Sequence, residues 1–168
     1  MCLKTKQVKP CIAKEAIPCV KVVIRNDDGT YSPIFAGGVT YTIGKNTTYK
    51  TSPDYIAHIN QGSSACEMMN DRGDVVYGLH SFKPNVNAIK QLYKWCCKEG
   101  GFSMSKVTVI ECEIPEDTPY FEGKGYVFSD SSMDQSGYTS EYLYVKREFT
   151  QEEIDNLPSY ERPEFAFL

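Results

Sequence analysis

The run Cys19-Val20-Lys21-Val22-Val23-Ile24-Arg25, followed by Asn26-Asp27-Asp28-Gly29 and then Thr30-Tyr31-Ser32-Pro33-Ile34-Phe35, decides the fold class. Alternation puts Val20, Val22 and Ile24 on one face of a strand. The Asn/Asp/Gly cluster supplies a turn, and the β-branched and aromatic residues beyond it supply a returning strand, so the stretch predicts a β-hairpin. Downstream, Gly37-Gly38 breaks the chain. Val39-Thr40-Tyr41-Thr42-Ile43 and Thr47-Thr48-Tyr49-Lys50 then predict two short strands around Gly44-Lys45-Asn46. Residues 51–74 have no clean period and carry Ser52-Pro53, Gln61-Gly62-Ser63-Ser64 and Asn70-Asp71-Arg72-Gly73, which predicts a long irregular connection.

Further out, residues 75–82 read as a short buried strand closed by Lys83-Pro84. A helix is expected over about 85–98. Asn85 is placed to cap it, Val86, Ile89, Tyr93 and Cys96 recur at three- and four-residue steps, Lys90, Lys94 and Lys98 take outer positions, and Gly100-Gly101 ends it. Residues 106–114 predict a strand stopped by Pro115, with Thr108, Ile110, Cys112 and Ile114 on one face and Val107, Val109, Glu111 and Glu113 on the other. Two more strands are expected over 120–129 and 141–147, joined by a Ser/Asp-rich loop at 129–140. Thr150-Gln151-Glu152-Glu153 is a capping box opening a short helix over about 151–157. Many short strands with one main helix predict an α+β fold with a mainly antiparallel, curved sheet. Residues 1–150 form its single domain, with 1–18 as an N-terminal arm, and 151–168 add a helix and a docking tail bearing Phe165 and Phe167.

The length of 168 residues fits that single domain. Eighteen Lys and Arg against twenty-two Asp and Glu give a net charge of -4, which disfavours nucleic acid as a partner. Six of the basic residues (Lys4, Lys6, Lys9, Lys14, Lys21 and Arg25) lie near the N-terminus and read as a solvated leader and an edge strand. Seven cysteines without a Cys-x-x-Cys pair argue against a disulfide framework or a zinc knuckle, and predict reduced, structural thiols in a cytoplasmic protein. No apolar run reaches the roughly 18 residues of a membrane span. His58 and His80 lack partners at metal-ligand spacing, so no metal site is expected. No full phosphate-binding Gly-rich loop occurs either.

Several segments, taken in order, carry a resemblance: Met1-Cys2-Leu3, Ala13-Lys14-Glu15-Ala16-Ile17-Pro18-Cys19-Val20-Lys21-Val22, Gly78-Leu79-His80-Ser81-Phe82, Ile110-Glu111-Cys112-Glu113-Ile114-Pro115, Tyr120-Phe121-Glu122-Gly123 and Ser140-Glu141-Tyr142-Leu143. Together they resemble landmarks of a group of small uncharacterised proteins encoded by gut bacteria and their phages. That resemblance implies a genomic setting and one shared domain, not a reaction. A more local likeness joins Tyr77-Gly78-Leu79-His80-Ser81 to Gly123-Lys124-Gly125-Tyr126-Val127-Phe128-Ser129-Asp130. This pairing resembles ADP-ribosyltransferases of the poly-ADP-ribose polymerase type. On that resemblance NAD is the cofactor, His80 holds its ribose, Tyr126 stacks on nicotinamide and Glu141 stabilises the oxocarbenium-like transition state. The chain departs from the pattern in having Tyr-Val where the family has Tyr-Phe. Glu111-x-Glu113 is similar to the paired acids of arginine-modifying ADP-ribosyltransferases, but here it precedes the only comparable Ser/Thr element, Tyr138-Thr139-Ser140, instead of following it.

The feature outside these likenesses is the tyrosine content, twelve against one Trp. Tyrosine provides stiff, amphipathic contact area and is common at interfaces and in small-ligand pockets. The expectation is a non-enzymatic binding or accessory module that takes a protein partner or a small nucleotide-like ligand. Its binding residues are Tyr77, His80, Ser81, Tyr120, Tyr126 and Ser129, with no catalytic residue assigned. An NAD-using ADP-ribosyltransferase-like enzyme is the alternative. Whether His80, Tyr126 and any of Glu111, Glu113 or Glu141 converge in one concave pocket separates the two.

Overall fold

The computed structural model describes residues 3–35, 40–42, 48–49, 74–75, 78–103, 105–125 and 127–161. In chain order its strands are β1 (Leu3–Lys4), β2 (Cys11–Ile12), β3 (Ile17–Arg25), β4 (Tyr31–Pro33), β5 (Thr48–Tyr49), β6 (Asp74–Val75), β7 (Leu79–Phe82), β8 (Val107–Ile114), β9 (Pro119–Gly125), β10 (Ser136–Ser140) and β11 (Leu143–Glu148). Among the described residues two helices complete it, α1 (Asn87–Lys98) and α2 (Gln151–Asp155). The strands form one sheet in the order β5-β11-β8-β3-β7-β10-β9-β1-β6, with β2 added on β9 and β4 on β3. Its pairings are antiparallel, as the short connections and alternating strands predict, and the fold is α+β and mainly sheet.

Both faces of the centre are apolar. Val20 and Val22 of β3 and Val107 and Val109 of β8 pack against Ala88, Ile89, Leu92 and Cys96 of α1, and Ile154 and Leu157 close the same layer. The opposite face gathers Cys19, Val23, Ile110, Cys112, Ile114, Leu143 and Val145 with Ala13, Tyr31, Tyr41 and Leu79. The hairpin forms as its turn chemistry dictates: Asn26 N donates to Thr30 O, Gly29 sits at φ 83, and Asp28 Oδ1 accepts from Thr30 N. The capping box on α2 is complete, with Thr150 Oγ1 accepting from Glu153 N and the Glu153 carboxylate accepting from Thr150 N.

Several boundaries differ from the sequence reading. Residues 129–140 are not all loop, because Ser136–Ser140 form β10 between β7 and β9. This strand has no apolar alternation to reveal it. Gly137 fits there because a Cβ at that position would lie 2.4 Å from the Ser81 carbonyl oxygen, so only glycine allows the two strands to approach so closely. The single strand expected over 75–82 is two: Val75 pairs with Leu3 in β1, whereas Leu79 to Phe82 pair with β10, and Gly78 lies between them at φ 107. Asn85 does not cap α1. It adopts φ 65 in a turn after Pro84, and Val86 occupies the cap position without a side-chain bond. β3 is flanked on both sides, so it is not an edge strand, and residues 3–4 and 11–12 of the expected arm pair with β9. The expectations for residues 43–47 and 50–73, His58, Tyr77, Tyr126, Phe165 and Phe167 lie outside the described residues. Among the described residues no helix is long and apolar enough to cross a membrane.

Candidate functional site

The site grows from a discontinuity on one edge of β3. Against β8 the strand is paired from Ile17↔Ile114 to Ile24↔Val107. On its other edge β7 meets it at Val20↔Phe82, and β4 takes Val23, Ile24 and Arg25 opposite Pro33, Ser32 and Tyr31. Between these two partners, Lys21 and Val22 are unpaired on that edge among the described residues. β7 is kept short by Gly78 at one end and Lys83-Pro84 at the other. On β4, Pro33 has no N–H with which to extend a ladder. Lys21 crosses the break, its Nζ donating to the His80 carbonyl oxygen at 2.5 Å.

The break holds a cavity of about 60 Å³ lined by Lys21, Val22, Tyr41, Gly78, Leu79, His80 and Phe82, with Pro33, Ile34 and Phe35 on the β4 side and Leu92 from α1. Alternation from Cys19 and Val23 aims the Lys21 side chain at an apolar face, between two buried residues and opposite Ile110. Its ammonium lies 5.6 Å from the centre of the buried Tyr41 ring, within cation–π range. Tyr41 is held there by paired backbone bonds with Tyr31, at 2.7 and 2.8 Å.

The electrostatics follow from burial. Desolvation lowers Lys21 to about 8, with the neighbouring Cys112 and Cys19 thiols acting the other way. Burial holds Cys19 up at about 12 and Cys112 well above the usual thiol range, so these two residues, paired across β3 and β8, are neutral thiols at pH 7. Burial likewise pushes the Tyr41 phenol far above its ordinary value. His80 is only 8% exposed. Desolvation first, and then the Lys21 charge, lower it to about 3, so the ring is neutral. Nε2 lies 3.3 Å from the Val75 carbonyl oxygen, which can only accept, so the proton sits on Nε2.

The sequence-derived candidates are not all gathered in one place. His80 lines the cavity. Ser81 projects to the other face of β7, where its hydroxyl lies beside the Cys19 thiol and makes no regular hydrogen bond. Tyr120 packs edge-on against Tyr138 with ring centres 6.0 Å apart, and Lys83 lies over the Tyr138 ring at 5.7 Å. Ser129 is exposed in the β9–β10 connection. Glu141 follows β10, its backbone N–H bonded to Pro119 O. Glu111 and Glu113 face β11, with Glu111 2.6 Å from Arg147 and Glu113 3.8 Å from Lys146. The two other polar side chains of the cavity, Lys21 and Tyr41, were absent from the expected site. The available signal for Lys21 was a lone charge inside an otherwise apolar strand. No group of three or more His, Cys, Asp or Glu is gathered as for a metal ion among the described residues.

Fold and site together define an α+β protein whose central antiparallel sheet is opened around a part-buried lysine. No protein-family model, curated protein or solved structure matches this chain.

Proposed function

We propose that the protein is a cytoplasmic binding module that takes a small molecule into the opening between β3 and β7, an accessory role in keeping with the small gut-bacterial and phage proteins it resembles. The observation that supports this reading is the cavity itself, with Lys21 and His80 in its wall where β3 is unpaired between β7 and β4 among the described residues. Apolar walls with a few convergent polar groups are the usual make-up of a small-ligand site. The NAD-using alternative asks His80 for a free ring and a carboxylate nearby. Nε2 is engaged on Val75, and Glu111 and Glu113 are engaged on β11. Calorimetric titration with NAD tests that alternative separately.

The binding reading is tested by native mass spectrometry of protein purified from host lysate, together with melting temperatures against a metabolite panel. The control is Ile34→Trp, a half-buried position on the cavity rim from which an indole would fill the space. A bound species or a thermal shift that this variant loses is the expected result. The same response in both proteins would sink the proposal, as would none in either.

A further inference from the structure

We infer that the occupant of this opening is a small carboxylate monoanion, held by the Lys21 ammonium; the inference rests on the binding reading above and names its ligand class. Charges taken out of water are as a rule paired or fully hydrogen-bonded, because an unpaired one is costly. Lys21 has no carboxylate within ion-pair distance among the described residues. An ammonium has three N–H donors. One goes to the His80 carbonyl, and the Tyr41 ring offers only its face. The missing element is an acceptor with negative charge.

The surroundings restrict that acceptor further. Cys19 on the same strand, Cys112 on β8, His80 on β7 and Tyr41 are all neutral near pH 7, so Lys21 supplies the site's one positive charge among the described residues and selects a single negative charge. At roughly 10–15 Å³ of such space per water molecule, the cavity of about 60 Å³ has room for a few waters, or for a carboxylate with a short alkyl stem. Val22, Leu79, Phe82 and Leu92 give that stem an apolar wall. A carboxylate suits the geometry because an ammonium donates to it as a point charge, with charge-assisted hydrogen bonds stronger than those to the His80 amide oxygen.

The experiment uses sodium acetate and sodium propionate as probes and acetamide as the neutral isostere, all at constant ionic strength, read by melting temperature and calorimetry. Acetate or propionate should raise the melting temperature of the full-length protein, and acetamide should not. Lys21→Met should weaken carboxylate binding by roughly tenfold to a hundredfold, the worth of a hydrogen bond to a charged group. Lys21→Gln, one atom shorter but still carrying an uncharged N–H donor, should behave alike if charge is what matters. Equal binding of acetate and acetamide, or carboxylate binding that survives both substitutions, would overturn the anion inference while leaving a ligand site in place. A bound compound found by native mass spectrometry to be uncharged would do the same. Silence of both carboxylates, with a different species bound and lost in Ile34→Trp, also overturns the inference and retains the reading. Failure of that mass-spectrometric experiment as well overturns both.

Discussion

The two edges of β3 are made from the same residues and end in opposite states. Along β8 the strand is paired over its whole length, with Val22 opposite Val109 on the helix-covered face and Cys19 opposite Cys112 on the other. Along β7 and β4 only Val20 and Val23 to Arg25 are paired among the described residues, and in the gap between them Lys21 carries its charge across to a β7 carbonyl. The length and composition of the neighbour account for the difference. β8 offers eight residues, VTVIECEI, without glycine or proline. β7 offers four between Gly78 and Lys83-Pro84, and β4 offers three ending in Pro33. The sheet opens here because β7 stays with β10 from Leu79 to Phe82 but meets β3 only at Phe82, while the continuous partner on the other side keeps the strand in register.

The largest effect expected from breaking this contrast comes from equal truncations on the two sides. Ile110 is fully buried opposite Lys21 on the closed side, where neighbouring strands fix the surrounding atoms. Ile110→Ala should lower stability by about 4 kcal/mol, toward the upper part of the range for such substitutions, because the void cannot collapse. Leu79 is as deeply buried but already lines the cavity. Leu79→Ala should cost about 2 kcal/mol, since the enlarged space is open to water or to rearrangement. Urea denaturation of both variants measures the pair. Equal costs would mean that the opening is packed as rigidly as the closed side.

Acid should unfold the open side first. His80 is lowered in the folded protein to about 3, against an ordinary value near 6.5. Its contribution is therefore present in full above pH 6.5 and is lost as the pH falls toward 3, because only the unfolded chain takes up the proton. Between pH 6.5 and 4.5 the loss should approach 2–3 kcal/mol, at a little over 1 kcal/mol per pH unit. The upper part of this interval lies above the range in which carboxylates titrate. His80→Gln should flatten that slope in denaturation series at pH 6.5, 5.5 and 4.5. An unchanged slope would show that another group carries the proton.

The closed side was legible in the sequence and the open side largely was not. Val20, Val22 and Ile24 against Val107 and Val109 repeat at a two-residue period that only a buried strand face explains, and the turn at Asn26 to Gly29 joins β3 to its return by local chemistry. The α2 capping box is equally local. β10 escaped because Ser136, Gly137, Thr139 and Ser140 show no apolar signal. Their strand conformation comes from β7 and β9 on either side and from the backbone approach that Gly137 permits. Lys21 escaped because a basic residue in a basic N-terminal run reads as solvated. Its partial burial is imposed by Tyr41 and by β7, about 20 and 60 residues further along the chain, and the lone charge in an apolar strand was the one local sign of it. His80 was singled out through the likeness of Tyr77 to Ser81 to ADP-ribosyltransferases, and its ring proves to be engaged on Val75.

The charge at the opening should carry a measurable penalty. Lys21 is lowered to about 8, below its ordinary value near 10.4. The fold thus disfavours the ammonium: the penalty is complete below pH 8 and disappears as the pH rises to about 10.4, where the unfolded chain also loses the proton. Lys21→Met should therefore be more stable than the parent protein at pH 7, by about 1–2 kcal/mol. The advantage should shrink between pH 8 and pH 10. Burial of Cys19 and Cys112 destabilises both proteins over the same alkaline range, so that contribution cancels in the difference. A gap that stays constant with pH would mean that Lys21 is not desolvated in the folded protein.

The smallest effect concerns Thr139, paired with His80 on β7 and with Phe121 on β9. Its Oγ1 is buried and has no hydrogen-bond partner among the described residues. A desolvated hydroxyl without a partner costs stability, whereas a methyl group of the same shape does not. Thr139→Val keeps the β-branched volume that a central strand favours and removes the polar atom, so it should raise stability by about 1 kcal/mol. The closed side provides a control of the same kind in Thr108→Val. Thr108 is equally buried on β8, but its hydroxyl lies near the Glu148 carboxylate, so less should be gained there. If Thr139→Val instead destabilises the protein, an ordered water must reach that hydroxyl. Solvent would then extend through the sheet beyond β7, and the contrast between the two edges of β3 would run one strand deeper than the cavity itself.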